Sequence, residues 1–179
     1  MSTTMLRSAA ELAVVETARR VLPAGGFGNV SYDVVIARGE GSRVWDLSGN
    51  EYIDYLLGSG PMIVGHSHPE VVAAVQAQVA DGMTFFTNNA PGILLAEVIV
   101  EAVSCAEKVR FVSTGSEADL YAMRIARAFR KRDKILKFEG GYHGMSDFSL
   151  MSLAPKRTPN FPQAIPDSAR VPRSIADDM

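Results

Sequence analysis

Hydrophobic residues recur at helical spacing in four parts of the chain. The spacing predicts helices over residues 6–21, from Pro69 to about Ala80, from Pro91 onward, and from Ser116 to about Lys131. Two of these helices start at a proline, which is tolerated at the first helical position because the amide there has no partner inside the helix. The four helices are expected to be joined by extended and irregular segments.

Three short extended runs follow the first helix: VVIAR, RVWDL and EYIDYL. The turn-forming sequences GEGS, at residues 39–42, and SGN, at residues 48–50, separate them. Short strands joined by such turns are typical of hairpins, so this region predicts a small antiparallel meander.

The second half of the chain has the pattern strand, helix, strand. KVRFV precedes the helix that begins at Ser116, and KILKFE follows it. A βαβ unit implies parallel strands with a right-handed crossover, so the predicted fold class is α/β. The last 28 residues hold five of the nine prolines and show little periodicity, which predicts a segment that covers a surface or waits for a partner.

Composition and charge indicate which partners and which cellular compartment to expect. The 179 residues are 47% hydrophobic and 21% charged, with a net charge of -2, which favours neither nucleic acid nor an anionic membrane as a partner. A single cysteine, Cys105, allows no internal disulfide and suggests a reducing compartment. Charged residues interrupt the first twenty positions and the most apolar stretch, so we expect neither a secretory signal nor a membrane span, and we predict a cytoplasmic protein.

A turn rich in hydroxyl groups, Ser113-Thr114-Gly115-Ser116, opens the helix of the βαβ unit. The first amides of a helix point toward its N-terminus and favour an anion, and a glycine there lets a ligand approach the backbone. The turn is therefore a candidate phosphate site. The alternative is a plain helix cap, because Thr114 and Glu117 have the spacing of a capping box; the two interpretations are compatible.

The sequence KFEGGYHG ends the second predicted parallel strand. It presents Tyr142 and His143 between glycines, close to the phosphate candidate if the βαβ unit forms. A ring in that position suits an aromatic phosphate ligand on which it can stack. The alternative is that Tyr142 packs beneath its own loop.

A metal site is a further possibility, because His66 and His68 lie two residues apart in GHSHP. Zinc sites in proteins use at least three protein ligands. His143 is the one other histidine, and the sequence offers no fixed third ligand. We therefore predict no metal.

Taken in order, RVWDLSGNEYIDYL, GPMIVGHSHPEVVAAV, VRFVSTGSEADLYAMRIAR, KILKFEGGYHG and IPDSARVPRSIADDM resemble stretches of the class-III aminotransferases. Their nearest similarity is to the branch of glutamate-1-semialdehyde aminomutase and its aminotransferase relatives. The resemblance implies pyridoxal 5'-phosphate as cofactor and the fold-type I architecture. Residues 1–55 would form an N-terminal arm and a small-domain meander, and residues 56–179 the first part of the large, mostly parallel sheet domain.

The resemblance also implies roles for individual residues. Gly115 and Ser116 would hold the cofactor phosphate, and Thr114 takes the place of a family serine. Tyr142 would stack on the pyridine ring with His143 beside it. The substrate side would include Ser59, Gly60 and Phe86, and residues 85–88 would lie near the interface of a homodimer.

No lysine of this chain matches the family's catalytic Schiff-base lysine. The five present are Lys108, Lys131, Lys134, Lys137 and Lys156. The cofactor chemistry requires that lysine, so the resemblance predicts no catalytic residue here and requires a C-terminal portion or a second polypeptide to supply it. The chain would be a fragment, one half of a split enzyme, or a degenerate relative that serves as a noncatalytic phosphate-binding or assembly module.

The expected substrates are an amine or amino acid as donor and a keto or aldehyde compound as acceptor. The aminomutases carry an arginine after the glycine pair, where it can bind a substrate carboxylate. The corresponding stretch here, GGFGNVSYDVV, has Asn29, Ser31 and Tyr32 instead. An aminotransferase is therefore the main interpretation, and glutamate-1-semialdehyde 2,1-aminomutase is the alternative.

Overall fold

The computed structural model describes residues 6–27, 33–154 and 163–179. Asn29, Ser31 and Tyr32, and the prolines at 155, 159 and 162, lie outside the described residues. The chain divides into two compact units, Met1–Thr87 and Asn88–Met179. The predicted division at residue 55 concerns the domains of the complete fold, and it stays a prediction.

The first unit begins with helix α1, Ala9–Val21. It starts three residues later than the hydrophobic pattern predicts, because Ser8 is the N-cap and its hydroxyl accepts a hydrogen bond from the Glu11 amide at 3.2 Å. A single 3-10 turn, Pro23–Gly25, follows the helix.

The predicted meander is confirmed. Strands β1, Ile36–Glu40, β2, Arg43–Asp46, and β3, Glu51–Ile53, form an antiparallel sheet in sequence order. Gly41 and Gly49 adopt positive φ angles of 56° and 85° in the two connections, which explains why glycine stands at both turns.

A polar network attaches α1 to the sheet. The Glu11 carboxylate is fully buried and accepts hydrogen bonds from the Val35 amide, at 3.0 Å, and from the Ser48 hydroxyl. Asp46, also buried, accepts from the amides of Ser48 and Asn50. Desolvation would raise the pKa of Asp46, but these bonds and those from the side chains of Asn50 and Tyr52 together hold it below its usual value. Satisfied in this way, the two carboxylates are tolerated beside the apolar core of this unit.

Helix α2, Pro69–Asp81, completes the regular structure of the first unit and begins at the proline that the sequence indicates. Gly82 ends it with a φ angle of 99°. None of the α2 residues is buried. A helix normally buries its apolar stripe, so α2 has apolar surface to offer another element.

The second unit contains three helices among its described residues. Helix α3, Ala90–Ala102, is capped by the Asn89 side chain, and helix α4 spans Gly115–Arg130. A short helix α5, Arg173–Asp177, lies in the proline-rich tail and was not predicted. Among the described helices, none combines the length and the apolar character needed to cross a bilayer.

The prediction of two parallel strands around α4 is wrong for this chain. Neither residues 108–112 nor residues 134–139 form a strand, and the sheet in the described residues has three antiparallel strands only. A strand requires a neighbour for its amides and carbonyls. Side chains in these segments are largely exposed, among them Phe111 at 50% and Phe138 at 84%. The helix between them is confirmed, whereas the described chain provides no ladder partner for either segment.

The buried residues in the described part of the second unit are Gly144, Ser149, Met151 and Ser152. Met151 is fully buried, Ser149 is 1% exposed, and Met151 forms an isolated antiparallel bridge with Pro166. The end of the tail also pairs locally, because the Ile135 amide donates to the Asp178 carbonyl at 2.9 Å. The described part of the tail therefore pairs with other residues of this unit, and its predicted role, to cover a surface or to wait for a partner, stays a prediction.

Candidate active site

The N-terminus of α4 carries a complete capping box. The Thr114 hydroxyl accepts a hydrogen bond from the Glu117 amide at 3.1 Å. In return, the Glu117 carboxylate accepts from the amides of Thr114, at 3.1 Å, and Ser113, at 2.7 Å. The capping interpretation of this turn is confirmed.

Capping leaves the first two helix amides free for a ligand. Within the described part of the chain, no acceptor bonds to the amides of Gly115 and Ser116. Gly115 is exposed, and a Cβ built on it would meet no atom within 4 Å. These two amides at the positive end of the helix dipole can therefore receive an anion without displacing the cap.

Ser116 also connects α4 to the loop that follows residue 139. Its hydroxyl oxygen accepts a hydrogen bond from the Met145 amide at 3.1 Å, which leaves the hydroxyl hydrogen available to a ligand. Gly144 packs directly on Ser116: a Cβ at Gly144 would come within 2.5 Å of the Ser116 Cα, and its φ angle is 89°. Glycine is required at 144 for this close approach.

The same loop carries Tyr142 and His143. The Tyr142 side chain is 62% exposed, which does not fit the alternative in which it packs beneath its own loop. His143 is partly buried and lines a cavity of about 290 Å³ together with Asp119 and Ser149. The contact between Gly144 and Ser116 brings this loop to the N-terminus of α4, where the sequence analysis places the phosphate.

Lys137 is the lysine nearest in sequence to this loop. Its ammonium group donates to the carbonyls of Ser149, at 3.0 Å, and Met151, at 2.5 Å. Desolvation by burial lowers the pKa of Lys137, and the nearby Asp167 carboxylate opposes that change. The two carbonyl bonds give this lysine a structural role that sequence patterns did not reveal, because its partners lie more than ten residues away.

The predicted substrate-side residues lie in the first unit. Ser59 and Gly60 have positive φ angles of 67° and 104° in the loop after β3, and Phe86 is fully exposed. The loop begins at Asp54, whose carboxylate accepts from the amides of Leu56 and Leu57 and contacts a histidine ring. Asp54 was not among the predicted site residues. The available signal was an aspartate at the end of a strand, since such side chains commonly bind the amides that follow them.

That histidine is His66, whose Nε2 lies 2.7 Å from the Asp54 Oδ2. This hydrogen bond is the main cause of the lowered pKa of Asp54. The ring nitrogen is therefore already occupied. In residues 6–27, 33–154 and 163–179, no three histidine, cysteine or acidic side chains come together as a metal site requires.

Residues 27–178 match the family model for aminotransferase class-III. A glutamate-1-semialdehyde 2,1-aminomutase from Methanopyrus kandleri is 42% identical over 171 residues, covering 93% of this chain and 39% of the relative. An omega-transaminase from Sphaerobacter thermophilus has a TM-score of 0.89 at 35% identity, covering 96% of this chain and 41% of the solved one. A structure described as a transaminase with PLP bound has a TM-score of 0.86 at 30% identity, with 97% and 41% coverage.

This chain spans about two fifths of the length of the curated relatives that it matches. The structural similarity extends over almost all of the chain, and it confirms the fold-type I architecture, of which this chain contains part. The missing parallel ladder is consistent with that partial coverage, because long-range strand pairs need both partners. From the family match and from the similarity in sequence and structure, we conclude that the chain belongs to the class-III aminotransferases.

Proposed function

We propose that this chain is the cofactor-phosphate-binding portion of a pyridoxal-phosphate-dependent aminotransferase. The reaction is transfer of an amino group between an amine or amino acid and a keto or aldehyde acceptor. One observation carries the proposal: among the described contacts the amides of Gly115 and Ser116 have no acceptor, Gly115 is exposed, and the Ser116 hydroxyl contacts the loop that bears Tyr142.

These residues fit a phosphate ester attached to an aromatic ring. The two amides and the Ser116 hydroxyl hydrogen would donate to the phosphate oxygens, assisted by the dipole of α4. Thr114 would assist from the cap, the exposed Tyr142 ring would lie against the pyridine ring, and His143 would flank it. When bound, pyridoxal phosphate supplies an electron sink for bonds at the substrate's amino carbon.

The lysine that binds the cofactor covalently must come from elsewhere. Among the described residues, many large apolar side chains are exposed, including Leu94 and Val98 of α3 at 58% each. A folded monomer normally covers such an apolar helix face. Because so much surface lacks a cover, we propose that a C-terminal portion or a second polypeptide packs on this chain and carries the lysine.

We further propose that the assembled enzyme is a homodimer, as the family resemblance implies. A cytoplasmic location fits the exposed thiol of Cys105, which would be readily oxidised in an oxidising compartment.

Glutamate-1-semialdehyde 2,1-aminomutase remains a second candidate, favoured by the 42% identity to the Methanopyrus kandleri protein. An aminomutase moves the amino group within one molecule and needs no separate acceptor, so turnover of glutamate 1-semialdehyde without added acceptor would identify it. Asn29, Ser31 and Tyr32, which replace the arginine region, lie outside the described residues.

Reductive trapping tests the main proposal. The chain is combined with the portion that completes its relatives, incubated with pyridoxal phosphate, reduced with borohydride and analysed by peptide mass spectrometry. We expect the cofactor on a lysine of the added portion, and little retention of pyridoxal, which lacks the phosphate. Trapping on Lys137 would contradict the assignment, and an assembly that retains no pyridoxal phosphate would favour a noncatalytic module.

A further inference from the structure

A hydrogen bond between two side chains closes the loop after β3. Asp54 stands at one end of this loop and His66 at the other, and their side chains are 16% and 19% exposed. The Oδ2 of Asp54 lies 2.7 Å from the Nε2 of His66. Between them, residues 55–65 form what we call the substrate-side loop, which contains Ser59 and Gly60.

Both ends of the loop are fixed to the turn between β1 and β2. The Asp54 amide donates to the Ser42 carbonyl at 2.8 Å. His66 exchanges two backbone hydrogen bonds with Gly41, at 2.9 and 2.8 Å. The His66 ring also packs on Gly39, where a Cβ would come within 2.5 Å of it. These backbone hydrogen bonds place Asp54 and His66 close together, so that their side chains can bond to each other.

Inside the loop, backbone hydrogen bonds join the Gly60 and Met62 amides to the Leu57 carbonyl, at 3.2 Å each, while side-chain packing adds little. Leu57 and Ser59 adopt positive φ angles of 44° and 67°, which non-glycine residues rarely occupy without support. Tyr55 and Ile63 are each 90% exposed, so packing of these side chains does not provide that support.

The Asp54 carboxylate supplies support at the start of the loop. Its Oδ1 accepts from the amides of Leu56, at 2.8 Å, and Leu57, at 2.9 Å. Its second oxygen contacts His66. One carboxylate therefore fixes the first turn of the loop and connects it to His66, three residues before α2 begins.

We propose that Asp54 and His66 are positioning residues that hold the backbone of Ser59 and Gly60 in the conformation used on the substrate side of the active site. The inference rests on the proposed function, because it is the aminotransferase that gives this loop a substrate. Neither residue touches the substrate; each acts through the loop.

Hydrogen exchange tests the Asp54–His66 hydrogen bond, which we call the clasp, in the 179-residue chain without any cofactor. In His66→Leu we expect the amides of residues 56–63 to exchange about tenfold faster or more, since loss of one well-placed hydrogen bond is of that order. His66→Gln keeps a donor near the position of Nε2 and is expected to restore most of the protection. Amides of α1 and β2 report on global stability and should not change.

Two results of this experiment would overturn the clasp. Unchanged exchange of the loop in His66→Leu would show that the hydrogen bond does not hold it. Equal acceleration in the loop, α1 and β2 would show that His66 supports the unit as a whole.

Steady-state kinetics of the assembled enzyme tests the positioning role. His66→Leu should raise KM for the amino donor about five- to tenfold with kcat changed less than about twofold and with cofactor retention unchanged, because the loop affects substrate binding. His66→Gln should recover the KM. A fall in kcat at constant KM would refute the positioning role. Absence of turnover in the unsubstituted assembly would instead contradict the proposed aminotransferase, while the exchange result would still report on the clasp.

Discussion

Ser116 illustrates how one residue can serve the fold and a ligand together. Its oxygen accepts the Met145 amide, while its hydroxyl hydrogen and its own amide remain free among the described contacts. Thr114, two residues earlier, is committed to the cap through its side-chain oxygen. Substitutions at these two positions should therefore separate cofactor binding from helix stability.

We expect Ser116→Ala to weaken pyridoxal-phosphate retention by about tenfold or more, because the phosphate loses a charge-assisted hydrogen bond. Its stability should fall by no more than about 1 kcal/mol, the value of the neutral bond from Met145. Thr114→Ala is the matched control and should lose about 1 kcal/mol of stability through the cap. Cofactor titration by absorbance and urea denaturation measure the two effects. Equal, modest losses of both in Ser116→Ala would mean that the turn is a cap alone.

Tyr142 offers a second test at the scale of a residue. Its ring is 62% exposed, so its removal should cost little stability. We expect Tyr142→Ala to speed cofactor release by about fivefold to tenfold and to shift the cofactor's absorbance, since stacked aromatic rings contribute about 1 kcal/mol beyond the area that they bury. Tyr142→Phe keeps the ring and should behave like the unsubstituted chain. An unchanged spectrum and release rate in Tyr142→Ala would remove the stacking role.

At the scale of elements, the helices follow local signals, whereas the loops depend on contacts distant in sequence. Helices α1, α3 and α4 each begin at a residue whose side chain caps an amide: Ser8, Asn89 and Thr114. The loop after residue 139 and the loop after β3 are instead fixed by pairs distant in sequence, Ser116 with Met145, 29 residues apart, and Asp54 with His66, 12 apart. We therefore expect their conformations to change when one member of such a pair is substituted.

The substrate-side loop should respond to pH through Asp54. The His66 hydrogen bond, with help from the Leu57 and Leu56 amides, holds the pKa of Asp54 below its usual 3.8. A carboxylate with a lowered pKa stabilises the folded state above its usual value, and that contribution is lost as the pH falls through the lowered pKa. We therefore expect the NMR amide shifts of Leu56 and Leu57 to report an Asp54 titration whose midpoint lies below 3.8.

Asp54→Asn is the control for this titration, because it removes the titrating group while it preserves an oxygen for the amides. In this variant the low-pH change at Leu56 and Leu57 should disappear. A midpoint above 3.8 in the unsubstituted chain would show that the hydrogen bonds do not favour the carboxylate as the structure indicates.

At the scale of the whole molecule, the main feature is that few apolar side chains are buried in the described residues. In the described residues, the buried apolar side chains are Val15, Val44 and Met151. Helix α3 has no buried residue, although apolar side chains make up most of it. Contiguous exposed apolar surface on this scale is typical of an interface rather than of a free monomer.

We therefore expect the isolated chain to bind the fluorescent dye ANS strongly, as proteins with exposed apolar surface do. Addition of the polypeptide that completes the length of its relatives should reduce the fluorescence and raise the thermal midpoint, because folding partners that bind the native state stabilise it. An unrelated protein of similar size is the control. Weak dye binding by the isolated chain, with no change on mixing, would contradict the requirement for a covering partner.

In the second half of the chain, the predicted helix is present but the two predicted strands beside it are not. The start of the helix at Gly115 was predicted within one residue. The signals for it are local, because Thr114 and Glu117 bond to residues no more than four positions away in sequence. The flanking strands at 108–112 and 134–139 were not found, although their composition favours strands. A segment becomes a strand only when a second strand pairs with its backbone. The sequence of the segment does not specify which part of the chain that second strand is.

The sequence by itself determined helices α1 to α4, the capping box of α4, the turns of the meander and the family, because these depend on bonds between nearby residues and on motifs in fixed order. Only the tertiary structure decided that Gly144 lies against Ser116, that the buried Glu11 bonds Val35 and Ser48, and that Asp54 closes a loop on His66. These contacts join residues brought together by the path of the chain. Their energies depend on burial and geometry, which no local pattern of residues specifies.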